Sequence, residues 1–494
     1  MTLAATIDAG GSGVKLGVVC LETWRVLATV RREYTPLVRA PGLYEWEPDR
    51  WWAVIESGLA EAVAEVGAPP SQYAGLTCTG MRIPFVLVDG VCAPLGPGVL
   101  APDARGRGYV AEVRSMIGSS ALYATTGHWS APHFGLPKLV WFAREQPSLW
   151  ARTRWVLQFC DWLLERLCGA VLSEPSSASM SQLLDVSHRE WAQGMLEAAG
   201  IDSARLPPLA DAGSLAGGLR PAVAKRVGLL AGTPVHVGGG DTHVSSVGAV
   251  GSRDDVIVIV SGTTTPIMMT TRVPALDATV TPLVSAHLRP GRWAAETNVS
   301  ISGAMLGWLR DLTRLDYPVL EELAEASPLG ARGVLVAAAN PEWGESDWAH
   351  VPPISLVGVT PGHGAGDLAR AMFESTAHAV ACNLARLESL NEPGVSEVAL
   401  TGRGGQSPFA GQLLADVLGR RVIAPGIDNA SALGGAMLVA GVDEPPTSAE
   451  GIRHERTFEP DLELHAAYAP RTRLYAETFA RLRGAFLDQA AVTL

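Results

Sequence analysis

Two apolar runs, residues 3–7 (LAATI) and 14–20 (VKLGVVC), flank the small residues 8–13 (DAGGSG), a pattern that predicts a β-hairpin at the amino terminus. The pattern returns at 256–260 (VIVIV), 261–265 (SGTTT) and 267–269 (IMM). Two such hairpins about 250 residues apart, one opening each half, predict a duplicated α/β unit with a nucleotide gripped between the copies. Just before the second hairpin, residues 235–251 (VHVGGGDTHVSSVGAVG) pass from an apolar run through three glycines to Asp241 and a small-residue segment. That order predicts a strand, a turn and a helix start. Amphipathic periodicity predicts a helix running through Val66 and a closing helix over 467–487.

Composition narrows the classes. The 494 residues, 47% of them apolar, are too many for one core and suit two domains. The net charge of -12 comes from 38 basic and 50 acidic residues spread along the chain, which leaves no basic face for nucleic acid. Six scattered cysteines without a CxxC, and eleven histidines without ligand spacing, fit a reduced cytosol and no structural zinc. The amino terminus lacks a basic leader and no apolar run approaches the ~20 residues of a membrane span, so a soluble, unprocessed, cytoplasmic protein is expected. A homodimer is the expected assembly.

The hairpins carry the candidate chemistry. A tight turn at Gly10, Gly11 and Ser12 presents backbone N–H groups and a hydroxyl to a phosphate, Lys15 adds a point charge, and Asp8 suits a hydrated Mg2+. The same turn also reads as a plain hairpin tip. Asp241 reads either as a base projecting into a cleft or as the N-cap of the next helix.

Taken together these residues resemble the FGGY carbohydrate kinases of the actin and hexokinase-like ATPase clan, over nearly the whole chain. Asp8, Gly10, Ser12 and Lys15 match the family's first phosphate motif, with Gly11 where threonine is usual. Residues 40–52 (APGLYEWEPDRWW), 138–145 (KLVWFARE) and 367–374 (DLARAMFE, opening a long helix through Leu390) are similar to family segments. The resemblance implies an α/β fold of two ribonuclease-H-like domains, 1–249 and 250–494, with the nucleotide cleft between them. It implies ATP and Mg2+ as cofactors, a small polyhydroxylated substrate, Asp8 at the metal and Asp241 as general base. Gly262, Thr263 and Thr264 would neighbour the γ-phosphate, Gly303 and Gly307 (in 301–311, ISGAMLGWLRD) the nucleotide, and Gly404, Gly405 and Ser407 (in 401–416, TGRGGQSPFAGQLLAD) the adenosine. Arg403 and Ala410 depart from that last motif, which bears on nucleotide preference.

Substrate contacts are implied at Met81 and Arg82 (in 77–89, TCTGMRIPFVLVD), Asp103 and Arg105, Trp129 and His243, with His128 and His133 nearby. Ile83 stands where glycerol and autoinducer-2 kinases carry glutamate, so an acid that would accept polyol hydroxyls is missing. Residues 161–191 read as scaffold. The expected activity is phosphoryl transfer from ATP to a ketose such as xylulose or ribulose. A cyclitol or an autoinducer-2-like signalling sugar is the alternative substrate, and a non-catalytic ATP-binding sugar sensor the alternative of another class.

Overall fold

The computed structural model describes residues 1–11, 13–279, 282–342, 353–390, 395–427, 429–444 and 453–493. Ser12, one of the expected phosphate contacts, lies outside them. The first hairpin forms as its pattern predicts, from strands Leu3–Ala9 and Gly13–Cys20, with Asp8 opposite Lys15. The first strand runs on past Ile7, so Asp8 is a strand residue beside the turn.

That strand sits inside a six-stranded sheet ordered Leu215–Gly218, Pro234–His236, Tyr73–Gly80, Leu3–Ala9, Gly13–Cys20, Val26–Glu33. All seven of its residues are buried because both faces are covered. Leu3, Ala5 and Ile7 pack with Trp51, Ile55 and Leu59 of helix Pro48–Val66, while Ala4 on the opposite face packs with Leu433 and Ala436 of helix Ala430–Ala440.

A seven-stranded sheet dominates the second half, ordered Leu283–Ala286, Trp293–Asn298, Pro266–Thr271, Val256–Ser261, Glu397–Thr401, Val422–Gly426, Arg453–Phe458. Its core takes in helix Ala365–Glu388 and, from the closing helix Leu462–Thr493, Tyr468 and Tyr475. That closing helix starts before residue 467, at Leu462. A five-stranded sheet that includes Leu43–Trp46 and Phe85–Val88 extends the first half.

Two helices join the halves. Helix Asp241–Val250 and helix Ala430–Ala440 cross with their backbones in contact: a Cβ on Gly248 would lie 1.9 Å from the Ala430 carbonyl oxygen, and one on Gly434 2.0 Å from that of Val244. Only glycine allows that approach. Strand Leu283–Ala286 also reaches across, with Val284 N–H donating to Gly127 O at 3.0 Å and Ala286 N–H to Ser179 Oγ at 2.9 Å. All six cysteines are free, and among the described residues no helix is long and apolar enough to cross a membrane.

Candidate active site

The crossing helices bring the two strand ends and their acids to one place. Asp241 is the first residue of its helix, a third of its side chain is exposed, and its Oδ1 accepts from the Thr242 N–H at 2.8 Å. The turn before it is tight: a Cβ on Gly238 would lie 1.6 Å from Cys78 O. Burial of the carboxyl pushes its pKa up to about 6; Arg82, whose Nε lies 3.8 Å away, opposes the rise, and Asp8 adds like-charge repulsion.

Asp8 is held on one oxygen. Its Oδ2 accepts from Ser431 Oγ at 2.5 Å and from Lys15 Nζ at 3.4 Å, and among the described residues no hydrogen bond falls on Oδ1. Among the described residues no group of three His, Cys, Asp or Glu forms a cage for a metal. A lone carboxylate suits Mg2+, which keeps most of its waters and commonly takes its further ligands from substrate phosphates. Tyr34 closes the first turn from the side, its OH donating to Gly10 O at 2.7 Å and its ring stacked on Trp51.

The second turn is built alike. Gly262 N–H donates to Thr264 O at 3.0 Å, Thr263 and Thr264 are exposed, and Thr265 Oγ1 lies 2.6 Å from Ser302 Oγ at the start of helix Ser302–Thr313. Gly303 packs on Gly262, and Ala304 N–H donates to Thr263 O at 3.1 Å. Residues 402–406 form a short helix against the same turn, with Gly402 bridged to Ser261 and Gly404 packed on the Ser261 side chain. Gly405 follows beside Leu400, and Ser407 caps the next helix while its Oγ donates to Glu321 at 2.7 Å. Tyr317, beside Gly307, lies under the Arg403 guanidinium at 5.9 Å. The sequence reading missed this aromatic, which comes from outside the segment where Ala410 stands.

Of the residues expected on the substrate side, Met81 and Arg82 follow strand Tyr73–Gly80. Arg82 grips Glu296 with both terminal nitrogens, Nη1 at 2.8 Å and Nη2 at 3.2 Å. His243 is wholly buried near His287, its ring nitrogens carry no hydrogen bond, and burial holds it neutral. Trp129 is buried in an apolar cluster with Ile83, Phe134 and Met180. Asp103 and Arg105 are bonded to each other at 2.7 Å and, through Arg105, to Glu45 at 2.7 Å, bracing their own loop rather than reaching Arg82 or Asp241. Lys138, also buried, donates to Leu100 O and Ala101 O of that loop, and burial brings its pKa down to about 7.

The stretch read as scaffold touches the turn that leads into Asp241. Glu174 Oε2 accepts from Ser176 Oγ at 2.5 Å, and that hydroxyl accepts from Gly240 N–H at 3.1 Å, one residue before Asp241. No local pattern announces a contact between residues so far apart in sequence.

Family models for the N-terminal and C-terminal domains of the FGGY family of carbohydrate kinases match residues 3–248 and 257–441. The chain belongs to the FGGY family of carbohydrate kinases. An Escherichia coli (strain K12) autoinducer-2 kinase is 28% identical over 487 residues, covering 94% of this chain and 91% of that protein. The structure superposes on a xylulose kinase from Rhodospirillum rubrum with TM-score 0.86 at 25% identity, covering 98% and 99% of the two chains. It shares its fold with a Plasmodium falciparum glycerol kinase solved with ADP, at TM-score 0.83 and 15% identity, covering 97% and 98%. This FGGY kinase is therefore a phosphotransferase with a carbohydrate-type acceptor, and its two-lobed α/β architecture is that of actin and hexokinase-like ATPases.

Proposed function

We propose that this FGGY kinase transfers the γ-phosphate of ATP to a hydroxyl of a small linear polyhydroxylated carbonyl compound, with Asp241 as the base. The observation that carries this reading is the position of Asp241: the first residue of its helix, with a third of its side chain exposed and its Oδ1 3.8 Å from Arg82 Nε, while burial raises its pKa to about 6. A base poised near neutral pH is ionised when a hydroxyl arrives and still accepts its proton as attack proceeds. The turns at Gly10, Gly11 and Ser12 and at Gly262, Thr263 and Thr264 would hold the phosphates, with Lys15 as a point charge. Gly303, Gly307, Gly404, Gly405 and Ser407, flanked by Arg403 and Tyr317, would line the nucleoside. Mg2+ at Asp8 would neutralise charge on the transferring phosphoryl group.

Met81, Arg82, Trp129 and His243 are proposed for the substrate side, in a sugar-binding half 1–249 facing a nucleotide half 250–494. Asp103 and Arg105 would act there by fixing the loop they brace. An autoinducer-2-type compound is the favoured substrate, supported by likeness to autoinducer-2 kinase across 94% of the chain. Xylulose or ribulose is the second reading, motivated by the Rhodospirillum rubrum xylulose kinase. Release of ADP from ATP and Mg2+ across a panel of pentuloses, polyols, cyclitols and the autoinducer-2 precursor tests both. One strong responder assigns the class; ADP release unchanged by every compound contradicts the proposal.

A further inference from the structure

We propose that Glu296 positions Arg82 for the substrate and, by engaging both terminal nitrogens of that guanidinium, commits the site to an uncharged polyol in preference to a sugar acid. This rests on the kinase reading of the same cleft. Ile83 leaves the sugar segment without its acid, yet a carboxylate is present beside Arg82, supplied by strand Trp293–Asn298 of the other half and 214 residues away in sequence. Glu296 lies on a buried strand, opposite Leu283 and Met268, and its side chain is 8% exposed against 10% for that of Arg82. A planar fork held at two points has one orientation, and here it turns Nε toward Asp241 Oδ1 at 3.8 Å.

Charge then sets the class. A sugar carboxylate entering this cleft meets Asp8, Asp241 and Glu296, and finds the Arg82 guanidinium already paired at 2.8 and 3.2 Å. Displacing Glu296 would strand a buried charge, a cost a neutral hydroxyl does not incur. The remaining Arg82 edge, Nε–H, suits a hydroxyl oxygen as acceptor. Because the pair spans the two halves, the sugar site is complete only when they are together, and this links substrate binding to closure of the cleft.

The test uses the full-length protein and the variants Glu296→Gln and Glu296→Asp. On the best neutral substrate, Glu296→Gln is expected to raise KM by about 10- to 100-fold with a smaller change in kcat, and Glu296→Asp to recover part of the loss. The wild type is expected to use the neutral compound at least about 100-fold better than its sugar acid, and Glu296→Gln to narrow that ratio. A KM within about 3-fold of wild type, or a wild type that prefers the acid, overturns the proposal.

A second readout needs no turnover: the Asp241 carboxyl carbon followed by NMR against pH, assigned with Asp241→Asn. Asp241 faces Arg82, Asp8, Glu296 and the Thr242 N–H. Loss of the Glu296 charge removes a repulsion and frees Arg82 to attract, so both effects move the titration to lower pH. An unmoved titration overturns the proposal even if no compound on the panel is phosphorylated, while a moved titration with no phosphorylation retains the Glu296–Arg82–Asp241 link and rejects the proposed acceptor class alone.

Discussion

Ser431 Oγ lies 2.5 Å from Asp8 Oδ2, so the acid at the end of the first strand is held by a helix that arrives 423 residues later. The contact ties the proposed metal ligand to the helix that crosses behind Asp241, and fixes the two acids relative to each other. Ser431→Ala leaves Asp8 with Lys15 alone on that oxygen. The expected result is a kcat/KM lower by about 5- to 30-fold, the size of one charge-assisted hydrogen bond, with a raised Mg2+ requirement. Initial rates against Mg2+ concentration check it, and an unchanged Mg2+ dependence would separate Ser431 from the metal site.

The pH profile follows from Asp241. Only the ionised carboxylate accepts a proton, and its pKa is raised to about 6, so activity is complete above that value and lost as pH falls through it. An acidic limb of kcat/KM near 6 is expected. Arg82→Met removes the charge that opposes the rise and leaves Glu296 unpaired, and both effects move the limb to higher pH. A wild-type limb near about 4, the ordinary aspartate value, would contradict the assignment.

Much of this architecture could be read from the chain because it is local. The strands at 3–7 and 14–20 and the glycine turn into Asp241 depend on periodicity and turn chemistry within a few residues. Asp103 and Arg105 were equally visible, two positions apart, but their partner Glu45 turns them into a brace for their own loop. Glu296, Ser431 and Tyr317 were not legible, since each acquires its neighbour only when segments far apart in sequence come together. Ser176 was passed over for the same reason: its hydroxyl is one of several in a serine-rich stretch, and only the fold shows that it meets Gly240 N–H.

Ser176→Ala tests that last contact. The change leaves the Gly240 N–H unpaired and takes a donor from Glu174, a buried acid whose pKa burial has already raised to about 7. A loss of about 1–3 kcal/mol in stability is expected, with a fall in kcat greater than any change in ATP affinity. Urea unfolding and steady-state kinetics measure the two effects.

The crossing of helices Asp241–Val250 and Ala430–Ala440 tolerates no side chain. Gly434→Val would place carbon within 2.0 Å of the Val244 carbonyl and is expected to cost about 3 kcal/mol or more. A urea midpoint equal to wild type would show that the helices separate freely, against the close contact described here.

As the proposed base, Asp241 takes the proton of the attacking hydroxyl. Single-turnover transfer of labelled γ-phosphate to the best acceptor, compared between wild type and Asp241→Asn at equal ATP saturation, tests it most directly. ATP affinity within about 3-fold of wild type and transfer slower by about 10^2 to 10^4 are expected. Transfer by Asp241→Asn at a near wild-type rate would contradict it.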